Sequence, residues 1–208
     1  MNGTQHMAIG ATTGFITANS LDSTPTTTLL LVGLGAVAGL IPDIDVDGKL
    51  SNRITLSHKM IRTVAQSIGA LMMIYSFLEG GYMERWTGMG VGLAIMIISS
   101  FLTQRRMLSV TAIGVIIGGI SLDESWLLLL GIYILIASFI PHRSYTHSIL
   151  GIIFFGIIAK QFEESLKIDG VYTTLLLAYI SHLVADMKIL PFNKKGVKWF
   201  LPFWSKEF

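Results

Sequence analysis

Eight apolar, glycine-interrupted stretches, at approximately 7 to 20, 28 to 41, 61 to 78, 88 to 104, 107 to 121, 126 to 141, 148 to 161 and 171 to 187, succeed one another with only short polar segments between them. Runs this apolar and this closely spaced predict helices, because a peptide group facing lipid must find its hydrogen bond within its own segment. Several runs are shorter than the ~20 residues a full span needs. The first two can therefore pair as a shallow hairpin, and 107 to 121 can lie tilted or half-embedded. Charged residues make up 13% of the chain and the mean hydropathy is +0.65, whereas soluble domains carry about 25% charge. The expectation is an all-α, polytopic membrane bundle of about eight membrane-embedded helices, forming a single domain over residues 1–208. The first run lacks a basic flank and an Ala-x-Ala site, so it is expected to stay as a helix rather than be cleaved. No cysteine is present, which leaves any metal to nitrogen and oxygen ligands.

Crossing sides at each run distributes the charges unevenly. The side that holds residues 1 to 6 collects Lys49, Arg53, Lys59, Arg62, Arg105, Arg106, Arg143, Lys188, Lys194, Lys195, Lys198 and Lys206, twelve of the fifteen basic residues. The opposite side receives Arg85, Lys160 and Lys167. The positive-inside rule makes the first side cytoplasmic and puts both termini there. From Lys188 onward, lysines alternate with Trp199, Phe200, Phe203 and Trp204, a mixture suited to the headgroup layer. Membrane lipids are thus the expected partners of the basic residues, and nucleic acid is not expected.

Four separated segments on that cytoplasmic side hold most of the histidines and the aspartates best suited to be ligands. His182 and Asp186 are four apart at the end of the last run, one turn from each other on one helix face. They can share an ion or simply a hydrogen bond. Pro42-Asp43-Ile44-Asp45 follows the second run, where Pro42 and Gly48 favour a turn. It reads as a cation-holding acidic cluster, with Asp47 nearby, or as a solvated turn. Pro141 ends the sixth run, Thr146 or Ser148 can cap the next helix, and His142 and His147 flank the turn between them. Beside them Arg143 offers a planar fork that matches phosphate oxygens or anchors at headgroups. His6 opens the first helix and gains weight from this company. His58 has no neighbouring acid and reads as interfacial, with a general acid as its sharper alternative. Gly10 and Gly14 on the first run, and Gly33, Gly35 and Gly39 on the second, have the small-residue spacing that lets helices approach closely.

Together, His6 with Gly10 and Gly14, Pro42-Asp43-Ile44-Asp45, His142-Arg143 with Thr146-His147-Ser148, Ser181-His182-Leu183 with Asp186, and Gly196-Val197 before Pro202 resemble the YdjM-like family. Its members are described as inner-membrane-associated, candidate metal-dependent hydrolases, also labelled LexA-binding or LexA-regulated. That family is distantly similar to the zinc-dependent phospholipase C and P1-nuclease group. The resemblance implies His6, Asp43, His142, His147, His182 and Asp186 as metal ligands, with Asp45 bridging or acting as base, in the inner membrane of a bacterial cell. The chain departs from the family at Gln5, Val46 and after Asp186, where Thr, His and Thr are usual. The function expected is hydrolysis of a phosphoester of a lipid or lipid-linked substrate at the cytoplasmic face. In that reading Asp45 and Arg143 are catalytic, and the metal is zinc, with manganese or iron compatible with the same donors. A metal or ion transporter and a non-catalytic partner-binding membrane protein are the rival classes.

Overall fold

The computed structural model describes residues 2–44, 58–79, 81–141, 144–188 and 196–208, with His58 described by its backbone alone. The described residues form eight α-helices and contain no strand: α1 Gly3–Ser20, α2 Pro25–Ala38, α3 His58–Glu79, α4 Tyr82–Ser100, α5 Gln104–Ser121, α6 Ser125–Phe139, α7 Ile149–Leu166 and α8 Val171–Ala185. Two single 3-10 turns, Ile41–Asp43 and Tyr145–His147, follow α2 and precede α7. Each helix overlays one of the eight apolar runs. The helix starts are set by local chemistry. Asn2 and Gln5 exchange side-chain to backbone hydrogen bonds of 2.9 Å in a capping box, which carries α1 four residues beyond its apolar run. Thr24 caps α2 with Pro25 in its first turn, and Ser148 caps α7.

Two described segments, Pro25–Asp43 and Lys59–Glu79, are long and apolar enough to cross a membrane, or three if α4 and α5 count as one broken span. At 15 residues each, α6 and α8 reach only about 22 Å, less than the ~30 Å hydrocarbon layer.

The chain divides into two compact units, residues 1–51 with 108–208, and residues 52–107. In the smaller unit α3 and α4 form a hairpin. A Cβ on Gly69 would come 2.7 Å from the Gly92 carbonyl oxygen, and one on Gly92 would come 2.6 Å from that of Gly69, so glycine at both positions lets the backbones touch. Most other side chains on this hairpin, including Ile68, Leu71, Tyr75 and Leu78, are exposed, as suits a lipid-facing surface.

In the larger unit α8 is central and packs on α1, α2 and α7, with Leu175, Ala178, Tyr179 and Leu183 in the core. Helices α1 and α2 cross where glycines face each other. A Cβ on Gly10 or on Gly14 would overlap the carbonyl oxygen of Gly35 or of Leu31, and one on Gly39 would stand 2.5 Å from that of His6. Gly33, by contrast, meets nothing. This contact brings the first turn of α1 against the last turn of α2, and so sets His6 beside the turn that carries Asp43. The segment from Gly196 onward folds back on the same unit. Val197 and Phe208 exchange backbone hydrogen bonds of 3.0 Å, Phe208 accepts from Lys188 N, and Trp199 accepts from Ile149 N at the start of α7. Exposed Phe203 and Trp204 lie on this segment, and Lys206 Nζ stands 5.5 Å over the Trp204 ring.

Candidate metal centre

Three helix ends and two turns of the larger unit meet at one point. Asp186 caps the C-terminus of α8, one turn beyond His182, and Asp43 ends the 3-10 turn beyond α2. His147 ends the turn before α7, and His6 lies in the first turns of α1. One ligand atom from each of Asp43, His147, His182 and Asp186 falls within 4.8 Å of every other, which suits a single metal ion. Asp43 Oδ1 is 3.5 Å from His147 Nε2 and 3.6 Å from His182 Nε2. Asp186 Oδ2 is 3.8 Å from both nitrogens. The i, i+4 spacing read from sequence puts His182 and Asp186 on one face, as expected, and the helix crossings bring in the rest. His6 is also here: its Nε2 is 3.2 Å from Asp186 Oδ1, and its ring stacks on His182 at 3.8 Å between centroids. It thus supports Asp186 from outside the four-atom set. Asp45, His142 and Arg143 lie outside the described residues.

The ligand orientations follow from hydrogen bonds on the far side of each ring. His182 Nδ1 is 2.7 Å from the Gly39 carbonyl, which can only accept, so this nitrogen carries the proton. In the neutral ring Nε2 then points a lone pair toward the two carboxylates. That atom is buried and makes no hydrogen bond among the described residues. The Gly39 carbonyl is itself one of the terminal carbonyls that α2 leaves without a helical partner, and His182 uses it. Thr146 Oγ1 lies 3.1 Å from His147 Nδ1 and can accept its N–H in the same way. The turn itself is held by a relay through the core: Tyr133 Oη donates to Tyr179 Oη at 2.9 Å, and Tyr179 donates to the Thr146 carbonyl. Gly151 completes the fit. A Cβ there would stand 2.6 Å from the Tyr145 carbonyl oxygen and 2.7 Å from the Tyr179 hydroxyl. These supports were not singled out from the sequence, although a tyrosine hydroxyl inside an apolar helix is a polar group that must find a partner.

Charge balance favours a cation. His6, His147, His182 and Asp186 are all at most 1% exposed. With the imidazoles neutral, the cluster carries two carboxylate charges at the negative ends of α2 and α8, where the helix dipoles repel them further. With the imidazoles protonated, His6 and His182 would stack as two cations. Burial holds His147 below the ordinary histidine range, favouring the neutral ring that a metal requires. A divalent ion satisfies both carboxylates and the lone pairs together. Two imidazoles with two carboxylates suit zinc, manganese or iron.

An all-helical protein with membrane-capable helices and a buried histidine–aspartate cluster at its helix ends is a membrane-associated helical protein with a candidate metal centre. The chain belongs to the family of the YdjM inner membrane protein, which matches residues 1–208, the whole sequence. No curated protein and no solved structure matches it.

Proposed function

We propose that the protein is a metal-dependent hydrolase of the inner membrane, cleaving a phosphoester of a lipid or lipid-linked substrate at the cytoplasmic face. The observation that carries this reading is the convergence of Asp43, His147, His182 and Asp186, from three separate parts of the chain, on one buried focus. A divalent ion held there supplies Lewis acidity toward phosphoryl oxygens and lowers the pKa of water toward neutrality. The residues of the chain divide the remaining work. Asp43, His147, His182 and Asp186 hold the ion, the Gly39 carbonyl fixes the His182 tautomer, and His6 steadies Asp186. The family resemblance adds His142 as a further ligand. Asp45, two residues from Asp43, deprotonates or orients the attacking water, and Arg143 clamps the phosphate with its two-pronged donor face. The uneven distribution of basic residues orients the site toward the cytoplasm.

Transport fits less well, because transport sites lie near the bilayer midplane on broken helices. Here the donors sit at helix ends. The experiment is a phosphoester screen of the metal-loaded protein in detergent against its Arg143→Ala variant, with metal content measured in both. Activity that is lost in the variant while metal is retained supports the assignment. Unchanged activity removes Arg143 from the mechanism, and no hydrolysis of any phosphoester by the loaded protein refutes the reading.

A further inference from the structure

A second feature lies against the metal cluster. Between α6, the Tyr145–His147 turn and the start of α7 is a cavity of about 180 Å³, lined by Tyr133, Ile136, Ala137, Thr146, Leu150 and Phe154 among others. Its floor is buried: Tyr133, Ala137, Thr146 and Gly151 are closed off from the surface. Its rim is open, with Ile136, Tyr145 and Leu150 all exposed. Among the described residues the lining contains no charged side chain. The polar atoms of its floor are turned to the protein, Tyr133 Oη to Tyr179, the Thr146 carbonyl to Tyr179, and Thr146 Oγ1 to His147. On the described lining an occupant therefore meets almost only carbon. The groove between α7 and α8 contrasts with it, since Lys160 and Glu164 line that one.

We propose that this cavity seats an acyl chain of a membrane phospholipid whose phosphoester lies at the His/Asp cluster. The inference rests on the hydrolase reading for the headgroup and on the cavity alone for the chain. Thr146 is the shared wall. One of its faces lines the cavity, and its hydroxyl meets the ring of the ligand His147. The cavity that would hold the chain therefore lies directly against the metal-bearing turn. In an inner-membrane protein the medium outside that rim is acyl chain, and an uncharged lining matches a chain and not a headgroup.

The test uses the full-length protein in vesicles of phosphatidylethanolamine and phosphatidylglycerol, with a trace of phosphatidylglycerol carrying a diazirine at the end of one acyl chain. After photolysis, the cross-linked residues are mapped. The expected result is label concentrated on 133–140 and 150–154, competed by excess unlabelled phospholipid. Ile136→Trp, at the exposed rim, should reduce that label about tenfold, a loss equivalent to roughly 1.4 kcal/mol of binding, and leave labelling of α3 unchanged. Ala137→Leu, which fills the floor, should do the same wherever its thermal unfolding in detergent shows that it folds. Label spread in proportion to exposed apolar surface, with Ile136→Trp unchanged, overturns the proposal. Metal content is read separately, so a seated chain in a protein that binds no metal upholds the cavity and removes the hydrolase reading.

Discussion

Tyr179→Phe tests whether the metal site depends on a buried hydrogen-bond relay that ends on the carbonyl preceding His147. Tyr179 is fully buried, and Tyr133 and Thr146 are 5% and 3% exposed. Removing the Tyr179 hydroxyl takes the acceptor from Tyr133 and the donor from the Thr146 carbonyl. An interhelical hydrogen bond in a membrane protein is worth about 0.6 kcal/mol on average. The buried Thr146 carbonyl, left without its donor, costs more, about 1–3 kcal/mol. The expected destabilisation is therefore about 1–3 kcal/mol. Because the Thr146 carbonyl belongs to the turn that presents His147, metal affinity should also fall by about 10- to 100-fold. Tyr133→Phe should cost only about 1 kcal/mol, since Tyr179 keeps its own acceptor. The double variant should lose less than the sum of the two single changes, because both remove the same Tyr133–Tyr179 hydrogen bond. Thermal unfolding in detergent and competition with a metal chelator measure the two effects. A Tyr179→Phe protein that unfolds and binds metal like the parent, or a double variant whose losses simply add, refutes the reasoning.

Other consequences follow from the same packing. Gly35→Ala forces a Cβ into the Gly10 carbonyl oxygen, so α1 and α2 must separate at a cost of about 1–3 kcal/mol. The Gly39 and His6 contacts should loosen with them, while Gly33→Ala, in open space, should be nearly neutral in the same unfolding assay. His6→Ala should keep the fold but weaken metal binding by roughly tenfold through loss of its contact with Asp186, measured by chelator competition. Since burial lowers the His147 pKa below 6.5, the unfolded state takes up that proton first as pH falls. The metal-free protein should therefore hold its His147 contribution above pH 6.5 and lose stability below it, and a midpoint that rises on acidification would contradict this sign.

Much of this arrangement was legible in the sequence because it is local. The eight apolar runs became eight helices, the His182 and Asp186 spacing put both on one face, and Gly10, Gly14, Gly35 and Gly39 marked the helix crossing. Convergence of His6, Asp43 and His147 on that pair was implied by the family resemblance and by the side of the membrane that the charge pattern predicts for them, and not by any local spacing, since helix crossings decide which end meets which. The partner of His182 Nδ1 is a carbonyl at Gly39, which no side-chain pattern announces. The Tyr133, Tyr179 and Thr146 relay joins three segments far apart in the chain for the same reason.

Elemental analysis of the detergent-purified protein, washed free of chelator, beside an Asp43→Ala, His182→Ala double variant, tests the metal centre most directly. The account predicts stoichiometric zinc, manganese or iron in the parent and none in the variant. Equal metal in both, or none in the parent after incubation with each ion, would contradict it.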